Sequence, residues 1–183
     1  MYVKQYTLLL RTMTTTMKSK VIAIFGLAVF LMSSCASPSR RMKNLAQDNL
    51  EASLDYPKQL KITAIAEPDS AFGVDYFSKQ EIKGMLRVMS TVTKQLMEKT
   101  NGMTDFTKLD PYYNALIQRQ MSAASEVQNM IFKNVQKGEW SGWKVKIDYE
   151  CADKNGLKYR AERWVFFDRK GKNVVKSFEI PLP

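Results

Sequence analysis

Residues 143–151 read Trp-Lys-Val-Lys-Ile-Asp-Tyr-Glu-Cys, with an apolar side chain at every second position. Alternation with a period of two predicts a β-strand that is buried on one face. Asp153-Lys154-Asn155-Gly156 comes next and is typical of a hairpin turn. We expect two further strands, over 157–168 and 173–180. The end of the chain is therefore predicted to be an antiparallel meander of three strands.

Upstream of this meander, the apolar residues recur with the period of a helix. A first helix is predicted over 39–54 and a strand over 59–66, followed by a turn-rich loop over 67–76. Ser78-Lys79-Gln80-Glu81 is a capping box that begins a second helix. Asp110-Pro111 begins a third helix, with proline at its favoured first position. The apolar stripe of the second helix comprises Ile82, Met85, Leu86, Met89, Val92, Leu96 and Met97.

This order of elements predicts the fold class. Helices that precede an antiparallel meander indicate an α+β domain, with the helices packed on one face of a sheet of three to four strands. The fourth strand would be the early one at 59–66. The order helix, strand, two helices and three strands is similar in topology to cystatin-like and NTF2-like domains, which implies a curved sheet with a concave face.

The front of the chain has a different character. Residues 21–32 are an unbroken apolar run that follows Lys18 and Lys20. Twelve helical residues cover about 18 Å, which is short of the ~30 Å hydrocarbon core of a bilayer. The run therefore fits a signal peptide better than a transmembrane helix. Leu31-Met32-Ser33-Ser34-Cys35 resembles the lipobox of bacterial lipoproteins, which implies that Cys35 is lipidated and becomes the first mature residue.

These features predict the domain organisation. Residues 1–35 are a lipoprotein signal peptide, 36–41 a short tether and 42–183 a single α+β domain. Translation is expected to start at Met17, where Met17-Lys18-Ser19-Lys20 opens a conventional signal peptide. Because residues 1–35 hold four basic residues and no acidic one, their removal lowers the net charge from +10 to +6.

The absence of histidine and the small number of cysteines exclude several kinds of catalytic and metal-binding chemistry. The sequence has no histidine, which removes Ser-His-Asp and Cys-His catalysis and the usual zinc sites. With Cys35 lipidated, Cys151 is the only remaining thiol, so no intramolecular disulfide can form, and we expect Cys151 to be buried and inert. No metal or cofactor is expected. Cross-strand ion pairs with neighbouring lysine and arginine account for the carboxylates of the meander, which are Asp148, Glu150, Glu162 and Asp168.

Aromatic residues are the most suggestive feature of the meander, because they occupy both phases of its middle strand. One face can be the core, whereas the other needs a cover, a ligand or a partner. The cover could be the first helix or the loop at 67–77, and otherwise the face is a small-molecule pocket or a protein-binding surface. The candidate binding face comprises Trp140, Trp143, Tyr159, Trp164 and Phe166. Aromatic residues among lysine and arginine also suit single-stranded nucleic acid, but an exported lipoprotein is not expected to meet it.

The chain also resembles a family of small, uncharacterised lipoproteins from Bacteroidales. The resemblance lies in Ser33-Ser34-Cys35, in residues 67–73 (Glu-Pro-Asp-Ser-Ala-Phe-Gly), and in residues 138–145 with the strand at 159–164. It covers nearly all of the mature chain but implies no activity and no catalytic residues. In that phylum, surface-exposed lipoproteins often carry acidic residues just after the cysteine, whereas residues 36–41 are basic here. The resemblance therefore implies an outer-membrane lipoprotein that faces the periplasm.

Two functional hypotheses follow. The first is a non-enzymatic binding or scaffold domain in the cell envelope, held to the membrane by lipid on Cys35 and engaging a protein or a small ligand through its aromatic sheet face. The second is an NTF2-like enzyme or ligand-binding protein, with a pocket on the concave sheet face and an acid such as Glu162 or Asp148. The enzyme needs a deep pocket that holds a partly buried, unpaired carboxylate.

Overall fold

A computed structural model describes residues 37–102, 104, 109–133 and 136–183. The predicted signal peptide and Cys35 lie outside the described residues, so the predictions about them are not tested by the structure. Within the described ranges, none of the helices is both long enough and apolar enough to cross a bilayer.

The described chain forms three helices and five strands in the order αββααβββ. A single 3-10 turn, Pro57–Gln59, precedes the first strand. The elements are α1 (Pro38–Ala52), β1 (Lys61–Ile65), β2 (Asp69–Ala71), α2 (Lys79–Lys99), α3 (Pro111–Phe132), β3 (Gly142–Ala152), β4 (Lys158–Phe167) and β5 (Val174–Leu182).

All strand pairs are antiparallel, and the sheet order is β1-β3-β4-β5. The short strand β2 pairs with the beginning of β3, with Ala71 opposite Gly142. β1 pairs further along β3, with Lys61 opposite Glu150. Because β4 occupies the other side of β3, the strands β1 and β2 follow one another along the same edge of β3.

The two faces of the sheet are covered by different helices. The face that carries Val145, Ile147 and Tyr149 packs against Met42, Ala46 and Leu50 of α1, and we call it the α1 face. The opposite face carries Trp164, Phe166, Phe178 and Ile180, which pack against Phe77 and against α2 and α3, and we call it the α2 face. A third cluster, Val92, Leu96, Leu116 and Ile117, joins α2 to α3.

The predicted α+β class with helices on an antiparallel sheet is confirmed. Two details differ: the sheet has five strands, and α1 lies on the face opposite to that covered by α2 and α3. The additional strand, β2, lies inside the segment predicted to be only a loop, and three residues are too few to show a period. The predicted capping box is confirmed, since Ser78 and Glu81 bond each other's backbone amides.

Two boundaries and one buried stripe also differ from the predictions. α1 begins at Pro38, so residues 38–41 of the predicted tether are helical. β5 continues through Pro181, which lies opposite Ala161 on the edge strand of the sheet. In the predicted stripe of α2, Leu86 and Met97 are exposed because the neighbouring α3 and the sheet cover only part of the apolar surface.

A close backbone contact places the beginning of β3 against the end of β4. Gly142 has a φ of +154°, and a Cβ atom on it would lie only 2.0 Å from the carbonyl oxygen of Phe167. Only glycine fits such an approach without moving the backbone. The contact holds Trp143 beside the β4–β5 turn, where its indole N–H donates to the carbonyl oxygen of Arg169 at 3.2 Å.

Candidate functional site

The structure separates the five residues of the predicted binding face. Trp164 and Phe166 belong to the α2 face and are only 9% and 1% exposed. The ring of Phe77 packs edge-on against both, with centroid distances of 5.1 Å to Trp164 and 5.6 Å to Phe166. Phe77 belongs to the 67–77 segment, so this segment provides the cover that was one of the open alternatives.

The other three predicted residues lie at two different ends of the sheet. Trp140 and Trp143 contact each other edge-on at 5.6 Å beside the beginning of β3. Tyr159 lies near the beginning of β4, where it faces Tyr149 at 6.0 Å. Of the five, Trp140 alone is classed as exposed, at 38%. The five residues therefore do not form one continuous surface.

The carboxylates proposed for the enzyme hypothesis are paired. Glu162 is buried, and its carboxylate accepts from the Trp164 indole N–H at 3.0 Å and lies 3.4 Å from the Lys146 ammonium. The same ammonium lies 3.0 Å from the Asp148 carboxylate. Burial opposes the charge of Lys146, but Asp148 and Glu162 outweigh it and raise the pKa of this lysine. The predicted cross-strand pairing is thus confirmed for Glu162, whereas Asp148 pairs with a lysine of its own strand, and neither acid is an unpaired base.

Glu150 and Asp168 are bound in different ways. Glu150 pairs with Lys61 and Arg160 near the sheet surface, as the cross-strand pattern predicts. Asp168 instead closes the β4–β5 turn, because its carboxylate accepts from the backbone amide of Lys172 and from the Asn173 side chain. These bonds lower the pKa of Asp168. Its role is therefore local and structural.

Cys151 is a buried free thiol on the α1 face. Its sulfur lies 3.4 Å from the carbonyl oxygen of Tyr56, to which the thiol donates. Burial raises the pKa of this thiol, which disfavours the reactive thiolate. The prediction of a buried cysteine with low reactivity agrees with this environment.

A polar cluster that sequence patterns did not indicate joins α3 to the α1 face. The Arg119 guanidinium lies 2.6 Å from the Glu179 carboxylate and 3.4 Å from the centre of the Tyr159 ring. The Tyr149 hydroxyl donates to the other oxygen of Glu179, and Arg163 lies 3.9 Å from it. Burial, followed by the charge of Glu179, raises the pKa of Tyr149 well above its usual range. Every partner of Glu179 is thus at least 16 residues away in sequence.

An open, mostly apolar cleft lies between the 75–77 loop, the beginning of α2 and the end of α3. Its volume is about 720 Å³, and we call it the α2/α3 cleft. Its apolar lining includes Tyr76, Ile82, Leu86, Met130 and Ile131. Leu86 is 44% exposed and Ile131 is 42% exposed, although both are large aliphatic residues.

The rim of the α2/α3 cleft is basic. Lys79, Lys83 and Lys137 line it, together with a single acidic residue, Asp75. The negative charge of Asp75 is balanced by two lysines, because its carboxylate lies 2.9 Å from Lys176 and 3.0 Å from Lys133. Those two lysines lower the pKa of Asp75. The cleft therefore offers apolar contact within and positive charge around its edge.

Among the residues that the structure describes, no group of three or more histidine, cysteine, aspartate or glutamate side chains is arranged to hold a metal ion. The acids near β2 have other partners: Glu67 pairs with Lys43, and Asp69 accepts from the backbone amide of Ser70 at 2.7 Å.

No protein-family model, curated protein or solved structure matches this chain.

Proposed function

We propose that this chain is a lipoprotein of the bacterial cell envelope, held to the outer membrane on its periplasmic side by lipid on Cys35, and that its domain is a non-enzymatic binding module. The sequence Leu31-Met32-Ser33-Ser34-Cys35 supports the anchor. The observation that carries the binding role is the exposed α2/α3 cleft.

The chemistry of the cleft indicates what it would bind. Large exposed aliphatic side chains that line a concave surface favour an apolar ligand or segment. The surrounding lysines favour acidic groups on that ligand. We therefore propose that the ligand is a segment of another envelope protein that combines apolar residues with acidic ones.

This site replaces the sheet face as the proposed binding surface. Trp164 and Phe166 are packed into the core and cannot contact a partner without unfolding part of the domain. The rival enzyme hypothesis has less support, because Glu162 is engaged by Trp164 and Lys146, and Asp148 by Lys146 as well. A catalytic carboxylate would need to be free to exchange a proton with a substrate.

The anchor is tested by metabolic labelling of cells with a clickable fatty acid. The wild-type chain is expected to incorporate the label and to fractionate with the outer membrane. A Cys35→Ser chain should incorporate none, whereas Cys151→Ser, which keeps Cys35, should label normally. An unlabelled wild-type chain would contradict the anchor.

The cleft is tested with a photo-crosslinking amino acid placed in living cells at Leu86 or, as a matched control, at Met97. Both positions are exposed on α2, at 44% and 48%, but only Leu86 lines the cleft. We expect a discrete adduct from Leu86 that is absent from Met97 and that weakens in a Lys79→Glu/Lys83→Glu chain. Equal adducts from both positions would count against the cleft as the binding site.

A further inference from the structure

The beginning of α1 and the β4–β5 turn lie next to each other at one end of the domain. The Arg41 guanidinium donates to the carbonyl oxygen of Lys170 at 3.1 Å. Met42 packs so closely over Gly171 that a Cβ atom there would lie 2.7 Å from its sulfur. Arg41 and Met42, near the beginning of α1, are therefore held next to this turn.

The same end carries an exposed tryptophan. Trp140 is 38% exposed, and the Arg169 guanidinium lies 5.9 Å from the centre of its ring. Arg169 is also the residue whose carbonyl oxygen accepts from Trp143. We call the surface formed by Arg41, Trp140, Arg169, Lys170 and Lys172 the basal surface.

Positive charge prevails on the basal surface. Its acidic neighbours include Glu139, which is loosely paired with Arg169 at 3.9 Å, and Asp168, whose carboxylate is turned toward the amides of its own turn. Glu67 also lies against the beginning of α1, where it is paired with Lys43. Lys170 and Lys172 extend from this turn as exposed side chains. Basic residues next to an exposed tryptophan are the combination that contacts anionic lipid headgroups and the bilayer interface.

The sequence position of Cys35 supplies an independent argument. Pro38, the first residue of α1, follows Cys35 by three residues, which can span at most about 11 Å. Electrostatic attraction in physiological salt extends over a Debye length of about 8 Å. A lipid on Cys35 would therefore keep the beginning of α1 within or just beyond the range of the charge on the bilayer surface.

We propose that the basal surface docks on the anionic surface of the bilayer and fixes the orientation of the domain on the membrane. Trp140 lies at the interface, and Arg41, Arg169, Lys170 and Lys172 face the lipid phosphates. This inference rests on the proposed lipid anchor, but it adds a second contact that the anchor alone does not require.

The experiment uses the full chain, purified from membranes and reconstituted into vesicles that carry brominated acyl chains, which quench nearby tryptophan. One set contains phosphatidylethanolamine and phosphatidylglycerol, and the other contains phosphatidylcholine alone. We expect quenching in the anionic vesicles that is reduced by salt and by Trp140→Phe. It should also be lost in Arg169→Gln/Lys170→Gln/Lys172→Gln and retained in the control Lys58→Gln/Lys154→Gln/Lys158→Gln, which removes three exposed lysines near the opposite end of the sheet.

Equal quenching in the two triple variants, or in the two kinds of vesicle, would overturn the inference. The intact mass of the purified chain reports separately whether Cys35 carries lipid, so failure of the anchor is distinguishable from failure of the basal surface. A chain without lipid would be tested by co-sedimentation with the same anionic vesicles. The first triple variant should then bind roughly 100-fold more weakly, since each basic residue near such a surface contributes about fivefold, and unchanged binding would contradict the proposal.

Discussion

At the scale of single residues, Glu179 contacts three side chains that are distant in sequence. Its carboxylate forms an ion pair with Arg119 of α3 and accepts a hydrogen bond from the Tyr149 hydroxyl of β3. In the sheet, Glu179 lies opposite Arg163 of β4. Its side chain is only 18% exposed, and that of Arg119 is 24% exposed. Although burial opposes its charge, the neighbouring Glu179 carboxylate raises the pKa of Arg119 above its usual value. The ion pair between Arg119 and Glu179 therefore stabilises the fold only while both side chains are charged.

We expect Glu179→Gln to lower the free energy of unfolding by roughly 1–3 kcal/mol, because two partly buried arginines lose their carboxylate. Urea denaturation followed by circular dichroism would measure this loss. The control is Glu150→Gln, since Glu150 pairs with Lys61 and Arg160 at a more exposed position and its loss should cost less than about 0.5 kcal/mol. Similar losses in both variants would show that the cluster around Glu179 has no special role.

At the scale of elements, the local sequence predicts most of the helices and strands. The capping box at Ser78 begins α2, and Asp110 followed by proline begins α3, as the structure shows. The alternation in β3 and the turn at residues 153–156 also appear as predicted. The element that was missed is β2, whose three residues pair with β3 and carry too little pattern to be recognised.

One prediction at this scale concerns the interior of α2. Gly84 is exposed, and a Cβ atom added to it would meet nothing within 4 Å apart from its chain neighbours and the backbone of its own helix. We expect Gly84→Ala to raise the free energy of unfolding by about 0.5–1 kcal/mol, because alanine loses less backbone entropy in a helix. The contrasting variant is Gly102→Ala, which should be destabilising, since Gly102 has a φ of +71° after the end of α2. Thermal and urea denaturation of the two variants would be compared, and a destabilised Gly84→Ala chain would contradict the argument.

A second prediction concerns the link between the 72–78 loop, α3 and β5. Lys176 and Lys133 lower the pKa of Asp75, so the folded state favours its charged form. The resulting stabilisation is present above the unfolded pKa of about 3.9 and is lost as the pH falls through the lower pKa of the folded state. Asp75→Asn should therefore reduce stability at neutral pH and lose less further stability on acidification than the wild type.

This prediction is checked by urea denaturation from neutral pH to about pH 2, with Asp48→Asn as the control because Asp48 is exposed on α1. The control should keep the acid dependence of the wild type. An unchanged acid dependence in Asp75→Asn would mean that the two lysines contribute nothing to the folded state.

At the scale of the whole molecule, stability comes from burial on both faces of the sheet. α1 closes one face, while α2, α3 and Phe77 close the other. Cys151, the one free cysteine recorded in the described part of the chain, is buried and forms no disulfide. The described part of the chain is therefore stabilised by packing and not by a disulfide. On the α2 face, the aromatic residues of β4 contribute to this packing.

We expect Trp164→Ala to destabilise the domain by roughly 3–5 kcal/mol, because it leaves a large cavity between Phe77 and Phe178. The matched control is Trp140→Ala, whose side chain is exposed and whose loss should cost less than about 0.5 kcal/mol. Far-ultraviolet circular dichroism in urea gives both values without a tryptophan signal. A stable Trp164→Ala domain would restore this residue as a candidate for ligand binding.

The sequence by itself determined the α+β class, the beginnings of α2 and α3, and the meander, because capping, turn chemistry and hydrophobic period are local properties of the chain. It also supplied the lipidation motif at Cys35, which remains a prediction. Only the tertiary structure decided which apolar and charged residues are accessible. Trp164 and Leu86 both carry large apolar side chains, yet Phe77 covers Trp164, whereas Leu86 stays 44% exposed among the described residues. Accessibility and pairing depend on segments that are distant in sequence, so the α2/α3 cleft, the Glu179 cluster and the basal surface could be located only in the folded chain.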